Sequence, residues 1–181
     1  MTKIIAISGS LRVRSFNTAM LEAAQRLFPE NIVMGSIEEI PLYNEDVEAE
    51  QGIPPAVDTL KNLIADANGL MIATPEYNNS MPGVLKNATD WLTRPPSDMA
   101  RVFHDKPVAV MGATPGGFGT VLAQNSLLPL LRTLKTRPWF EGRLMVSRAH
   151  TLVDDEGRIS DEEALKRLEH FVSGFISFCA D

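Results

Sequence analysis

The sequence predicts an α/β fold built on a doubly wound parallel sheet. Short apolar runs alternate with segments of helical periodicity along the chain. The first run is apolar without a break, as a central strand covered on both faces must be. Two polar loops directly follow such runs, where strands of an open sheet hand over to helices.

Ile4-Ile5-Ala6-Ile7 forms the first strand. Met20, Ala24 and Leu27 follow at helical spacing, Leu21 and Phe28 widen the stripe, and Pro29 ends the helix. Asn31-Ile32-Val33-Met34-Gly35 is a short second strand. Residues 38–55 are the least regular part, with carboxylates at Glu38, Glu39, Glu45, Asp46, Glu48 and Glu50 among Pro41, Pro54 and Pro55. They show no ordered ligand spacing, so they predict a solvated acidic connection rather than a divalent-metal site. A helix over 56–67 carries Val57, Leu60 and Ile64 on one face and stops at Asn68-Gly69.

The third strand covers 70–74. Ser80 is the expected N-cap of the next helix, with Pro82 in its first turn. Val84, Leu85, Ala88 and Leu92 form its buried stripe, and Arg94-Pro95-Pro96 ends it. Residues 107–113 make the fourth strand, a long helix runs to about 134, and Leu144-Met145-Val146 is the fifth strand. Ser160-Asp161-Glu162-Glu163 matches a capping box opening the last helix, whose inner face is Leu165, Leu168, Val172, Phe175 and Cys179. Five strands and five helices alternate with no repeat or linker. Residues 1–181 therefore predict one domain with strand order 2-1-3-4-5.

Composition removes several functions. The 181 residues are 44% hydrophobic, enough for a sizeable core. A formal charge of −6 with no basic block argues against nucleic acid, and an anionic ligand must be held by local positive groups. The single cysteine, Cys179, excludes an internal disulfide framework and suits packing. His104, His150 and His170 are scattered without ligand spacing, so no metal is expected. No run approaches the ~20 apolar residues of a membrane span. The first residues enter a strand without an apolar signal core, so a cytoplasmic location is expected. No G-x-S-x-G elbow is present, which counts against a serine hydrolase.

The chemistry lies in the loops. After the first strand comes Ser8-Gly9-Ser10-Leu11-Arg12-Val13-Arg14-Ser15-Phe16-Asn17. A phosphate at a helix start meets unpaired N–H groups and the positive end of the helix dipole. Ser10, Ser15 and Asn17 can add neutral donors, and Arg12 a planar charged fork. The turn holds only Gly9, with neither G-x-G-x-x-G nor the P-loop pattern, so a mononucleotide fits better than a pyrophosphate. The plainer alternative is a loop whose serines merely cap the helix.

The second loop, Thr74-Pro75-Glu76-Tyr77-Asn78-Asn79-Ser80, offers a stiff exit, an aromatic ring and amides to a flat polar ring system. Its plainer alternative is a turn ahead of the Ser80 cap. The third, Thr114-Pro115-Gly116-Gly117-Phe118-Gly119-Thr120, has glycines that let a backbone approach a ring edge. Side by side at the sheet rim, these loops predict a site for a phosphorylated planar cofactor.

The segments Ser8-Gly9-Ser10-Leu11-Arg12…Ser15-Phe16-Asn17, Pro75-Glu76-Tyr77-Asn78…Ser80-Met81-Pro82-Gly83-Val84-Leu85-Lys86-Asn87-Ala88…Asp90-Trp91 and Gly112-Ala113-Thr114-Pro115-Gly116-Gly117-Phe118-Gly119-Thr120…Gln124 span most of the chain. In that order they resemble the NADPH-dependent FMN reductase family, particularly its bacterial chromate/quinone reductase branch. The resemblance implies a flavodoxin-like fold, non-covalent FMN, and two-electron reduction of acceptors by NADPH or NADH; the mechanism expected is a ping-pong cycle with quinones or similar small acceptors. Carried over by position, Ser10, Arg12, Ser15, Phe16 and Asn17 would hold the FMN phosphate. Pro75, Glu76, Tyr77 and Asn78 would line the isoalloxazine, with Thr114 and Gly117 nearby. A homodimer or homotetramer is also implied.

The cofactor carries the chemistry in such enzymes, so no catalytic acid or base is assigned. Thr114 stands where the branch often has serine, and Leu122 where it often has an arginine, which puts a subunit contact through that arginine in doubt. Arg94 and Arg101 are candidates for the 2′-phosphate of NADPH. A flavodoxin-type electron carrier and a free-FMN reductase are the alternatives.

Overall fold

The computed structural model describes residues 1–180. Its sheet contains β1 (Ile4–Ser8), β2 (Ile32–Gly35), β3 (Gly69–Ala73) and β4 (Pro107–Ala113), all parallel, in the order β2-β1-β3-β4. Two short strands share the lane beyond β4. β5 (Arg137–Pro138) pairs with Pro107 and Val108, and β6 (Leu144–Val146) pairs with Met111 to Ala113. The order is thus 2-1-3-4-5, with its fifth position split. Between the two strands Trp139 turns inward against Phe171 and Phe175, at ring distances of 5.1 and 5.6 Å. That draws the chain out of the lane, and the predicted fifth strand accounts only for its second half.

Alternation along β1 divides the core. Ile4 and Ala6 face α1 (Phe16–Leu27) and α7 (Glu162–Ala180), while Ile5 and Ile7 face α3 (Pro55–Ala65) and α4 (Gly83–Leu92). The second layer also takes in α5 (Met99–Phe103) and α6 (Val121–Thr133). Helices cover both faces, which is why the central strands carry unbroken apolar runs. Among the described residues, no helix is long and apolar enough to cross a membrane. Cys179 packs inside α7, and loss of water around it pushes its thiol pKa up to about 12.

Three local expectations are corrected. The acidic stretch contains α2 (Glu45–Gln51), capped by the Asn44 side chain, and it is docked rather than merely solvated. Arg94 Nε donates to both Glu48 oxygens at 3.0 and 2.7 Å, and the Tyr43 hydroxyl donates to Glu48 at 3.0 Å. The Trp91 indole N–H and the Asn87 amide both donate to the Pro41 carbonyl at 2.8 Å. Ser80 does not cap α4: its backbone pairs with Tyr77, and Pro82 occupies the cap position without a side-chain bond. At α7, Asp161 rather than Ser160 caps, its Oδ1 accepting from the Ala164 N–H at 2.8 Å.

Candidate functional site

The register brings Ser8, Ala73 and Met111 to one level at the carboxyl edge of the sheet. Hydrogen bonds join the strand exits beyond it: Gly9 N–H to the Ala73 carbonyl, Thr74 N–H to Met111 and Thr114 N–H to Val146, at 2.8, 2.9 and 2.9 Å. The three polar loops therefore leave the same rim as neighbours. Between them lies a cleft lined by Ser10, Arg12, Ser15, Phe16, Asn17, Pro75, Glu76, Tyr77 and Thr114, together with Ala113 and Pro115. Nine of the eleven residues singled out in the sequence converge there. Asn78 and Gly117 lie outside this lining: Asn78 sits at a turn tip, and Gly117 is exposed with open space around it.

The first loop is shaped by short internal bonds. Ser8 Oγ accepts from the Ser10 N–H and from the Thr18 hydroxyl, and Ser10 Oγ accepts from the Arg12 N–H. Ser15 has extended backbone angles and caps α1, its Oγ accepting from the Thr18 N–H at 3.3 Å. The serine does cap its helix, as the plainer alternative had it, yet the donor set is not exhausted. The N–H groups of Phe16 and Asn17 and the Arg12 guanidinium have no acceptor among the described residues. The hydroxyl hydrogens of Ser10 and Ser15 are also unassigned. Convergent donors with no acceptor beside a helix N-terminus fit an anion such as a phosphate.

Asn17 plays a different part from the one its type suggests. Its Nδ2 donates to the Ala113 carbonyl and its Oδ1 accepts from the Ala113 N–H, both at 2.9 Å and fully buried. The side chain ties α1 to the end of β4, leaving its backbone N–H for a ligand.

In the second loop, Tyr77 and Ser80 exchange backbone hydrogen bonds of 3.1 Å around Asn78 and Asn79, both at positive φ (50° and 62°). Asparagine tolerates that left-handed geometry, so the tip closes as a two-residue hairpin. Tyr77 is held beside the cleft with about half its surface exposed. Glu76 reaches sideways: its Oε2 accepts from the N–H groups of Leu122 and Ala123, at 2.8 and 3.0 Å.

The cleft encloses about 160 Å³. Pockets that bury most of a drug-sized ligand hold roughly 300 Å³ or more, so an occupant here stays partly open to solvent. A larger cleft of about 660 Å³ lies elsewhere, between the segment ahead of β6 and α7, and contains none of the rim-loop residues. The smaller cleft is the one with the convergent unpaired donors. Arg94 and Arg101 do not line it. Arg94 is committed to Glu48, which with their hydrogen bond raises the guanidinium pKa, and Arg101 donates to Asn62 and Asp98. No group of His, Cys, Asp or Glu suited to a metal occurs among the described residues.

Residues 2–151 match the family model described as NADPH-dependent FMN reductase. An NAD(P)H-dependent FMN reductase of Pseudomonas aeruginosa is 45% identical over 169 residues, covering 92% of this chain and 89% of that protein. A 2-hydroxy-1,4-benzoquinone reductase of a Burkholderia species is 35% identical over 181 residues, covering 99% and 97%. The solved structure of FerB, a flavoenzyme NAD(P)H:(acceptor) oxidoreductase of Paracoccus denitrificans, superimposes with a TM-score of 0.87 at 31% identity, covering 99% and 98%.

Proposed function

Since the chain belongs to the NADPH-dependent FMN reductase family, we propose that it is an FMN-dependent NAD(P)H oxidoreductase that reduces quinones and similar small acceptors, with the rim cleft as its flavin site. The observation that carries the site assignment is the set of unpaired donors in the first loop. When bound, FMN would supply two-electron hydride chemistry between NAD(P)H and the acceptor, with the two substrates using one site in turn.

The protein's own tasks are to bind, to orient and to leave one face open. The Phe16 and Asn17 N–H groups, the Ser10 and Ser15 hydroxyls and Arg12 hold the phosphate. In an acidic protein, Arg12 supplies the local positive charge such a ligand needs. Pro75, Glu76, Tyr77 and Thr114 would line the ring, with Asn78 and Gly117 on the same loops just outside the cleft lining. So small a cleft would leave one face of its occupant toward solvent, where a second planar molecule would stack.

The exposed apolar residues Phe118, Leu122, Leu128 and Phe140, on and near α6, support assembly as a homodimer or homotetramer, and the protein acts in the cytoplasm as one domain. Initial rates with NADPH and a benzoquinone test the alternating use of the site. Parallel double-reciprocal lines are expected. Intersecting lines would mean that both substrates occupy the protein together, and would overturn the proposed cycle.

A further inference from the structure

The start of α6 lacks a cap of its own. An N-cap residue needs extended backbone angles to turn its side-chain oxygen toward the next N–H groups. Thr120 instead has φ 67° and makes no capping bond, its Oγ1 accepting from Gln124 Nε2 at 3.1 Å. Gly119 before it also has positive φ, at 59°. The missing acceptor comes from Glu76, forty-six residues upstream, through the Leu122 and Ala123 N–H groups. The same residue lines the cleft. A neutral oxygen could fill the capping role, whereas a carboxylate also puts a negative charge at the cleft wall.

We infer that Glu76 is a positioning residue that locks the second and third rim loops together and biases the bound flavin toward its oxidised form. The inference rests on the cleft being the FMN site. The helix dipole and two N–H groups hold the charge in place. Reduced flavin carries added negative charge, which a fixed carboxylate nearby disfavours. Removing the charge while keeping an oxygen should therefore favour the reduced form without loosening the loops.

Glu76→Gln keeps a capping oxygen and loses the charge; Glu76→Ala loses both. Amide exchange of Leu122 and Ala123 in the flavin-free protein reads the cap, and the FMN midpoint potential reads the charge. In Glu76→Gln, exchange should stay near wild type. Its affinity ratio for reduced over oxidised FMN should rise about tenfold, equivalent to about 30 mV for a two-electron couple. In Glu76→Ala both amides should exchange at least about tenfold faster, with a similar rise in potential. An unshifted potential in Glu76→Gln, or unchanged exchange in Glu76→Ala, would overturn the inference. Failure of the wild-type protein to bind FMN would instead remove the functional assignment, while the exchange arm would still decide the cap.

Discussion

Asn17 and Ala113 exchange two hydrogen bonds of 2.9 Å across a separation of 96 residues, fastening the first turn of α1 to the last residue of β4. The pairing sets the spacing between the first and third rim loops, and hence the width of the cleft. Replacing Asn17 by alanine leaves a buried N–H and a buried carbonyl without partners. The expected loss of stability is about 2–4 kcal/mol. A urea titration checks it, with the midpoint falling and the slope unchanged.

The Arg12 side chain is exposed and has no ion-pair partner among the described residues. Its contact with a phosphate is therefore partly screened, and Arg12→Ala should weaken FMN binding by about 1 kcal/mol, roughly fivefold. The defect should shrink as salt is raised. Fluorescence titration of FMN at two ionic strengths measures both effects, and unchanged affinity at low salt would contradict the role given to Arg12.

Gly112 lies where β4 meets the rim. A Cβ there would stand 2.0 Å from Thr120 Oγ1 and 2.4 Å from the Thr74 carbonyl oxygen. The backbone oxygen cannot swing aside, so Gly112→Ala should destabilise by about 3 kcal/mol, near the upper end of ordinary overpacking costs. It should also displace the second and third loops, and thermal unfolding with and without FMN would record both.

The fully buried Lys61 Nζ donates to Asp98 at 2.9 Å, and Arg101 donates to the same carboxylate at 3.2 Å. These bonds, the Lys61 one foremost, hold the Asp98 pKa below its ordinary range. A lowered folded-state pKa stabilises the protein fully above the unfolded aspartate value. That share is lost as pH falls through the lower folded value, so the change lies below about pH 4. Asp98→Asn should lower the melting temperature at pH 7 and flatten its dependence on pH below 4. A melting series between pH 2 and 7 decides this.

Much of the fold was legible in the sequence because β1, β3 and β4 are covered on both faces and must be apolar throughout. β5 was not, since Arg137-Pro138 carries no periodic signal and exists by pairing with Pro107 and Val108. α2 was hidden for a similar reason: its seven residues bury none of their side chains fully and are fixed by Arg94 and Tyr43 from outside. The site's composition was visible as polar loops after apolar runs, but the use of each side chain was not. Nothing local tells that the Asn17 amide is spent on Ala113, or that the α6 cap comes from Glu76. Both depend on which strand ends the sheet places side by side.

The central claim is that the rim cleft holds a redox-active FMN. Anaerobic titration of the FMN-loaded protein with NADPH, followed in the visible spectrum, tests it most directly. The yellow chromophore should bleach with one equivalent of NADPH and regain its colour on addition of a quinone. A protein that takes up no FMN, or one whose flavin stays oxidised in excess NADPH, would contradict the claim.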